Sequence, residues 1–304
     1  MPARRSLQNY RRQLARRLNS LTVATTTTAG NAAGSSLVAT ALAGGLDQNR
    51  YRNGWVFPVE GDQLGRLRRV GESALNTSTG ELSVSVAYPA QIPADVEFEV
   101  HLVLPPEDHD GWVGFRSCIN DALAECWTTA RLALVGVENQ PSYELDAYAD
   151  WLEPEAIREL WAEATSADVN RLTHGGTFPY RDAENLNLEV QPHLGAGEAA
   201  QVEVFRPLDT WIKVGSTWGN SSVGLVNDSD EALINPEPLV QVALAYAYMA
   251  LSVGPDAERW ERKARDQRLK ANLLKLDYLN HKQRRMGGDT GGWRQYGAKD
   301  WESF

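Results

Sequence analysis

The sequence predicts an α+β protein: a helical body with a long C-terminal helix and one or more small antiparallel β-sheet modules. Three observations predict this class. Residues 82–104 alternate apolar and polar side chains with period two, the mark of half-buried strands. Residues 115–130 carry apolar side chains on a single helical face. Residues 236–286 hold two helix-forming runs with clear start and stop signals.

Taken in order, residues 4–21 read as a helix, with Leu7, Leu14, Leu18 and Leu21 at helical spacing and Arg on the other faces. Thr25–Gly45 is rich in Thr, Ala, Gly and Ser and reads as a long loop. In the β module, Leu82, Val84, Val86 and Tyr88 form one alternating series, and Val96, Phe98, Val100, Leu102 and Leu104 another. Ser78-Thr79-Gly80 supplies a turn, and further strands are expected near Trp55–Val59 and Leu67–Val70. Pro105-Pro106 ends the sheet.

Phe115, Cys118, Ile119, Ala122, Leu123, Cys126, Trp127 and Ala130 fall on one helical face. A second helix is expected at 154–164, where Pro154 and Glu155 suit a first turn and Ile157, Leu160 and Trp161 form a stripe. A strand is expected near Arg131–Val137, and alternation returns at Leu186, Leu188 and Val190, at Val202 and Val204, and near Trp211–Val214. Asn235-Pro236 opens an almost wholly apolar helix, 236–253, that Gly254-Pro255 stops. A last helix over 255–286 has Asp256 and Glu258 in its first turn and Arg284-Arg285 in its last, matching the helix dipole. It would run roughly 45 Å at 1.5 Å per residue. Its apolar stripe is thin, which suits packing against a neighbouring subunit. The expected divisions are therefore 1–49, 50–104, 105–286 with a second β segment near 185–215, and a tail at 287–304.

Net charge is −10, and its distribution is uneven. Residues 1–46 carry +6, 47–258 carry −22 and 259–285 carry +7. Basic ends and an acidic body suit contacts in which the ends of one subunit meet the body of the next, and ordinary solvated charge is the plainer alternative. The acidic body argues against an extended nucleic-acid footprint there. No run reaches the roughly 18 apolar residues of a membrane span, and residues 22–46 are too polar for a signal peptide, so a soluble protein made in the cytoplasm is expected. Cys118 and Cys126, eight apart on one helix, would lie about 12 Å from each other. That exceeds the roughly 7 Å a disulfide allows between Cα atoms, so buried thiols are expected.

Catalytic motifs are missing from the sequence. It holds no His-Glu-x-x-His, Gly-x-Ser-x-Gly, Walker loop or strand-linked Gly-x-Gly-x-x-Gly. The five histidines are scattered, and Asp228 and Asp230 resemble the start of a calcium loop that lacks its glycine and terminal Glu. Non-enzymatic function without cofactor or metal is expected. Ten tryptophans stand out, and Trp293 and Trp301 in the tail suit anchors that order on a partner.

Four segments carry a family resemblance. Tyr51-Arg52-Asn53-Gly54-Trp55 precedes Arg68-Arg69-Val70 and Thr79-Gly80-Glu81-Leu82-Ser83-Val84. Ile119-Asn120-Asp121-Ala122-Leu123 with Trp127 follows, then Asn185-Leu186-Asn187-Leu188 and Val202-Glu203-Val204-Phe205-Arg206-Pro207. Asp228-Ser229-Asp230-Glu231, a proline and an alanine-rich helix come last. This layout, over roughly 50–285, resembles the adaptor, or head–tail connector, proteins of tailed bacteriophages.

The resemblance implies a homo-oligomeric ring, often twelve-fold, in the virion neck, joining the portal vertex to the tail. Partners would be further copies of the chain, the portal protein, and tail or stopper and nozzle proteins. Double-stranded DNA would pass through the ring without specific binding. It further implies portal or neighbour contacts by Trp293, Tyr296, Trp301, Phe304, Arg284 and Arg285, and an inter-subunit helix bearing Trp260, Leu274 and Tyr278. Three other readings compete: a receptor-binding or collar-decoration protein of the virion, a cellular enzyme with an unrecognised site, and a nucleic-acid binder using the Arg-rich N-terminus.

Overall fold

The computed structural model describes residues 6–44, 47–145, 157–162, 172–173, 176–182, 185–191, 194, 196–197, 199–234, 236–253 and 256–286. Helix α1 (Leu7–Arg17) starts the chain, its N-terminus capped by Ser6, whose Oγ accepts from Asn9 N. Six strands then form one antiparallel sheet: β1 (Leu21–Thr25), β2 (Ser36–Val38), β3 (Trp55–Pro58), β4 (Arg68–Asn76), β5 (Glu81–Val84) and β6 (Glu97–His101). Their order is β1-β6-β3-β4-β5-β2, and the sheet curls into a half-barrel. Its two edges approach each other, because Thr28, just past β1, bridges Val38 at the end of β2. The segment expected as a long loop thus contributes to both edges of the sheet. Its small side chains let the backbone pair closely. Leu37, Val56, Val70, Leu82, Val84, Phe98 and Val100 fill the curl as the alternation requires.

Helix α2 (Phe115–Ala124) buries Phe115, Cys118, Ile119, Ala122 and Leu123, the expected face. The helical face expected to continue to Ala130 stops there, and β7 (Trp127–Val135) begins. Six strands follow: β8 (Ser142–Glu144), β9 (Ile157–Ala162), β10 (Leu172–Thr173), β11 (Gly176–Asp182), β12 (Asn185–Gln191) and β13 (Ala199–Pro207). They make two sheets, β10-β9-β13-β7 and β11-β12-β8. Leu132, Leu134, Val202 and Val204 of the first share one core with Tyr143, Leu186, Leu188 and Val190 of the second. The hairpin β14 (Trp211–Val214) and β15 (Thr217–Asn220), joined by β16 (Glu231–Ala232), leads into α3 (Pro236–Ala250) and α4 (Ala257–Met286).

The expectation of a helical body with small β modules is overturned. Among the described residues the structure is sheet-rich, with sixteen strands against four α-helices, which together do not dominate the body. The helix expected at 154–164 is strand β9 over its described part. Ile157, Leu160 and Trp161 fit a helical stripe, but a short apolar run has no decisive period, and the open edge of β13 takes the segment as a strand: Gln201 pairs with Trp161 and Val202 with Leu160. The alternating segments near 131–137, 186–190 and 202–204 are parts of one seven-stranded unit inserted between α2 and β14.

The four helices gather on their own core. Leu7, Tyr10 and Leu14 of α1, Phe115 and Ile119 of α2, Leu239, Val240 and Ala243 of α3, and Ala271 of α4 pack together. Cys118 and Cys126 are both buried here, and burial followed by the nearby charges of Asp121 and Asp108 pushes the Cys118 thiol up to about 12. It stays protonated and packs as a small apolar group.

Candidate functional site

The half-barrel and the helical layer meet along β6. Phe98 and Val100 point into the barrel, so period two sends Glu97, Glu99 and His101 to the other face. In an isolated sheet that face would be wet, but α1 lies across it. Arg11 (1% exposed), Glu99 (0%) and His101 (0%) are all buried. Arg11 Nε donates to Glu99 Oε2 at 2.9 Å, and its NH1 and NH2 fork onto the Asp228 carboxylate, NH2 at 2.8 Å. Arg12 Nε donates to Glu99 Oε1 at 2.6 Å, and its NH2 donates to Glu97. The Arg11 guanidinium also lies 4.7 Å from the Phe57 ring centroid.

His101 Nε2 lies 2.8 Å from Glu99 Oε2, while Nδ1 has no hydrogen-bond partner among the described residues. Burial lowers the His101 pKa more than Glu99 raises it, so the ring is neutral. Its proton is therefore assigned to Nε2, which donates, and Nδ1 keeps a bare lone pair. Burial alone would raise the Glu99 carboxyl, but the His101 hydrogen bond and the Arg11 charge outweigh it and hold Glu99 well below the usual carboxylate range. For Arg11, burial works against its charge, yet Asp228 and Glu99 keep it firmly protonated. A carboxylate that receives three donors and a histidine fixed as neutral have no proton to exchange near neutral pH. The cluster ties α1, β6 and the 227–231 turn into one rigid joint.

A second polar joint fastens α4. Tyr246 Oη on α3 and Arg268 NH2 on α4 both donate to Glu125 Oε1 at the end of α2. Gln267 Nε2 donates to the Gln241 carbonyl at 3.3 Å, and Trp260 stacks on Tyr248 with centroids 5.8 Å apart. Lys263 Nζ sits 4.5 Å from the Trp260 ring centroid. Gln241 lies near the start of α3, so α4 has reached that end of α3 by residue 267. α3 has 15 residues and α4 has 30. About 15 residues of α4, or 22 Å of helix, lie C-terminal to the turn that faces the start of α3.

Of the residues expected to make inter-subunit contacts, Trp260 is half-buried against α3 of its own chain. Leu274, Tyr278, Arg284 and Arg285 lie on the α4 backbone, but their side chains are outside the described structure, and Trp293, Tyr296, Trp301 and Phe304 are outside the described residues altogether. Sequence reasoning missed the Arg11–Glu99–His101–Asp228 joint. Its one signal was two adjacent arginines in a helix free of acids, with Glu and His on the polar phase of a strand. Three arginines of the basic N-terminus are thus paired within their own chain: Arg11 and Arg12 in the joint, and Arg17 with Glu237 at 2.7 Å. Among the described residues, no cluster of three His, Cys, Asp or Glu could hold a metal, and no helix is long and apolar enough to cross a membrane. No known protein-family model matches the chain, and no curated protein matches it at a significant level.

Proposed function

We propose that the chain is a structural subunit of an oligomeric ring in the neck of a tailed phage, joining the portal vertex to the tail and forming part of the DNA channel. One observation carries this reading: α4 is clamped to the body by Glu125, Tyr246 and Arg268 and has twice the length of the α3 helix it packs on. A 30-residue helix held over its first half, beside a 15-residue partner, is suited to serve as a strut to a neighbour. The Arg11–Glu99–Asp228 joint supports the reading too, since it welds the half-barrel to the helical layer and would pass load between them. The acidic body supports passage of DNA without adhesion, because carboxylates facing the channel would repel phosphate.

The test is mass photometry of the purified full-length chain with and without portal rings. The expected result is a portal-sized species heavier by a fixed number of subunits. A compact monomer that ignores the portal overturns the proposal.

A further inference from the structure

Helix α4 has two faces. Ala264, Gln267 and Ala271 are buried toward the helical core. At 100° per residue, Leu269 and Leu273 lie about 120–180° round the helix from those three. They are 65% and 58% exposed, one turn apart. Around them the helix is basic: residues 259–273 hold six Arg or Lys and two acids. Arg262 and Arg265, 74% and 77% exposed, pair at i,i+4 on their own helix at 3.3 and 3.7 Å and with no other acid among the described residues. Such exposed pairs are weak and exchange readily for a partner's carboxylates.

The same chain carries a surface of opposite character. Trp112 and Val113 are each 43% exposed in the loop before α2. Residues 107–125, which include them, hold five acids and one arginine, with Glu107 paired to Arg116 and Glu125 to Arg268 of the same chain. Within that set, partial burial and the like charges of Asp108 and Glu125 raise the Asp121 carboxyl above its usual range. A cation brought alongside would relieve that crowding.

We infer that the outer face of α4, centred on Leu269 and Leu273, docks onto the Trp112–Val113 surface of a second copy of this chain. Leucine rows meet an exposed Trp and Val, and the basic flanks of one meet the acidic flanks of the other. The two surfaces differ, so the contact is heterologous, and repeated by a rotation that closes it gives a ring. The docking rests on the ring reading and adds to it which faces meet.

Sedimentation velocity of the full-length chain across a concentration series tests it. The expected result is that L269D/L273D and W112S/V113S each weaken self-association at least tenfold while the far-UV circular dichroism and Tm stay near wild type. Each variant keeps one intact face, so an equimolar mixture of the two should form a 1:1 heterodimer that does not grow. A gentler pair guards against misfolding: R262E/R265E should weaken association, and D121K in the same chain should restore part of it. If wild type assembles and none of these changes weakens it, the docking is wrong and the ring reading stands. If the mixture fails to pair, the two faces are not mutual partners and the docking is overturned. If wild type remains monomeric at every concentration and with portal present, both fall.

Discussion

Arg11 on α1 and Glu99 on β6 lie 88 residues apart in sequence and meet at 2.9 Å with neither side chain exposed. The guanidinium is shared with Asp228, and the carboxylate with Arg12 and His101. A buried pair of this kind contributes little beyond what well-packed apolar groups would, but it is costly to break from one side. Arg11→Met leaves Glu99 and Asp228 with a lost donor, and should lower unfolding stability by about 3–5 kcal/mol. Glu99→Gln should cost less, because its amide still accepts from one side. In a denaturant-melt cycle, R11M/E99Q should be less destabilised than the sum of the singles. Strict additivity would show that the two residues act separately.

Acid should loosen the same joint. The folded state holds His101 below its ordinary 6.5, so the unfolded chain takes up that proton first and stability falls as pH drops below about 6.5. Glu99 is also held low, so its contribution is present above its ordinary 4.5 and lost as pH falls further. Both groups act in one direction, and stability should decline from neutral pH downward and more steeply in the carboxylate range. His101→Gln keeps a donor toward Glu99 without a titrating ring. It should flatten the stability profile between pH 7 and 5 and leave the lower limb in place. Tm measured at half-unit steps for both proteins decides this, and an unchanged upper limb would rule out His101.

The joint shows why part of this fold was legible and part was not. Leu82, Val84, Phe98 and Val100 could be assigned from the sequence because one face of their strands is apolar whatever covers the other. Glu99 and His101 read as a solvent face because their partner sits on a helix far away in sequence, and only tertiary structure brings Arg11 over them. β9 was illegible for another reason: its apolar residues suit a helix and a strand equally, and the pairing edge on β13 settles it. The thin stripe on α4 was visible from the start. Its pairing of Trp260 with Tyr248 and of Arg268 with Glu125 was not, since those contacts join three separate helices.

Gly80 makes a sharper demand than a turn usually does. It sits at φ +74° between β4 and β5, and an added Cβ would fall 2.1 Å from the Ala39 carbonyl oxygen. That oxygen is backbone and fixed beside β2, where Ala39 N donates to Gly80 O at 3.1 Å. Gly80→Ala should therefore cost more than the roughly 1–3 kcal/mol of left-handed strain alone, because the β2 edge must move as well. Gly111, also at positive φ but with open space around its Cβ position, is the control. Its alanine variant should show the strain cost only. Equal losses in Tm for the two variants would refute the close approach at Gly80.

Two truncations test how much of the C-terminal segment the folded body needs. The described helical core ends at Ala271, and the clamp on α4 ends at Arg268. If the proposed ring reading holds, removing residues 287–304 should leave Tm and far-UV circular dichroism unchanged and weaken attachment to the portal, because Trp293 and Trp301 go with that segment. Removing residues 255–304 strips α4 from α3, losing Ala264 and Ala271 from buried positions and the Arg268 partner of Glu125. At about 25 cal/mol per Å² of apolar surface returned to water, even 200 Å² costs about 5 kcal/mol, a large fraction of ordinary domain stability. The longer deletion should therefore unfold the helical layer cooperatively at lower temperature. A shorter deletion that lowers Tm by as much as the longer one would place the tail inside the body and overturn this division.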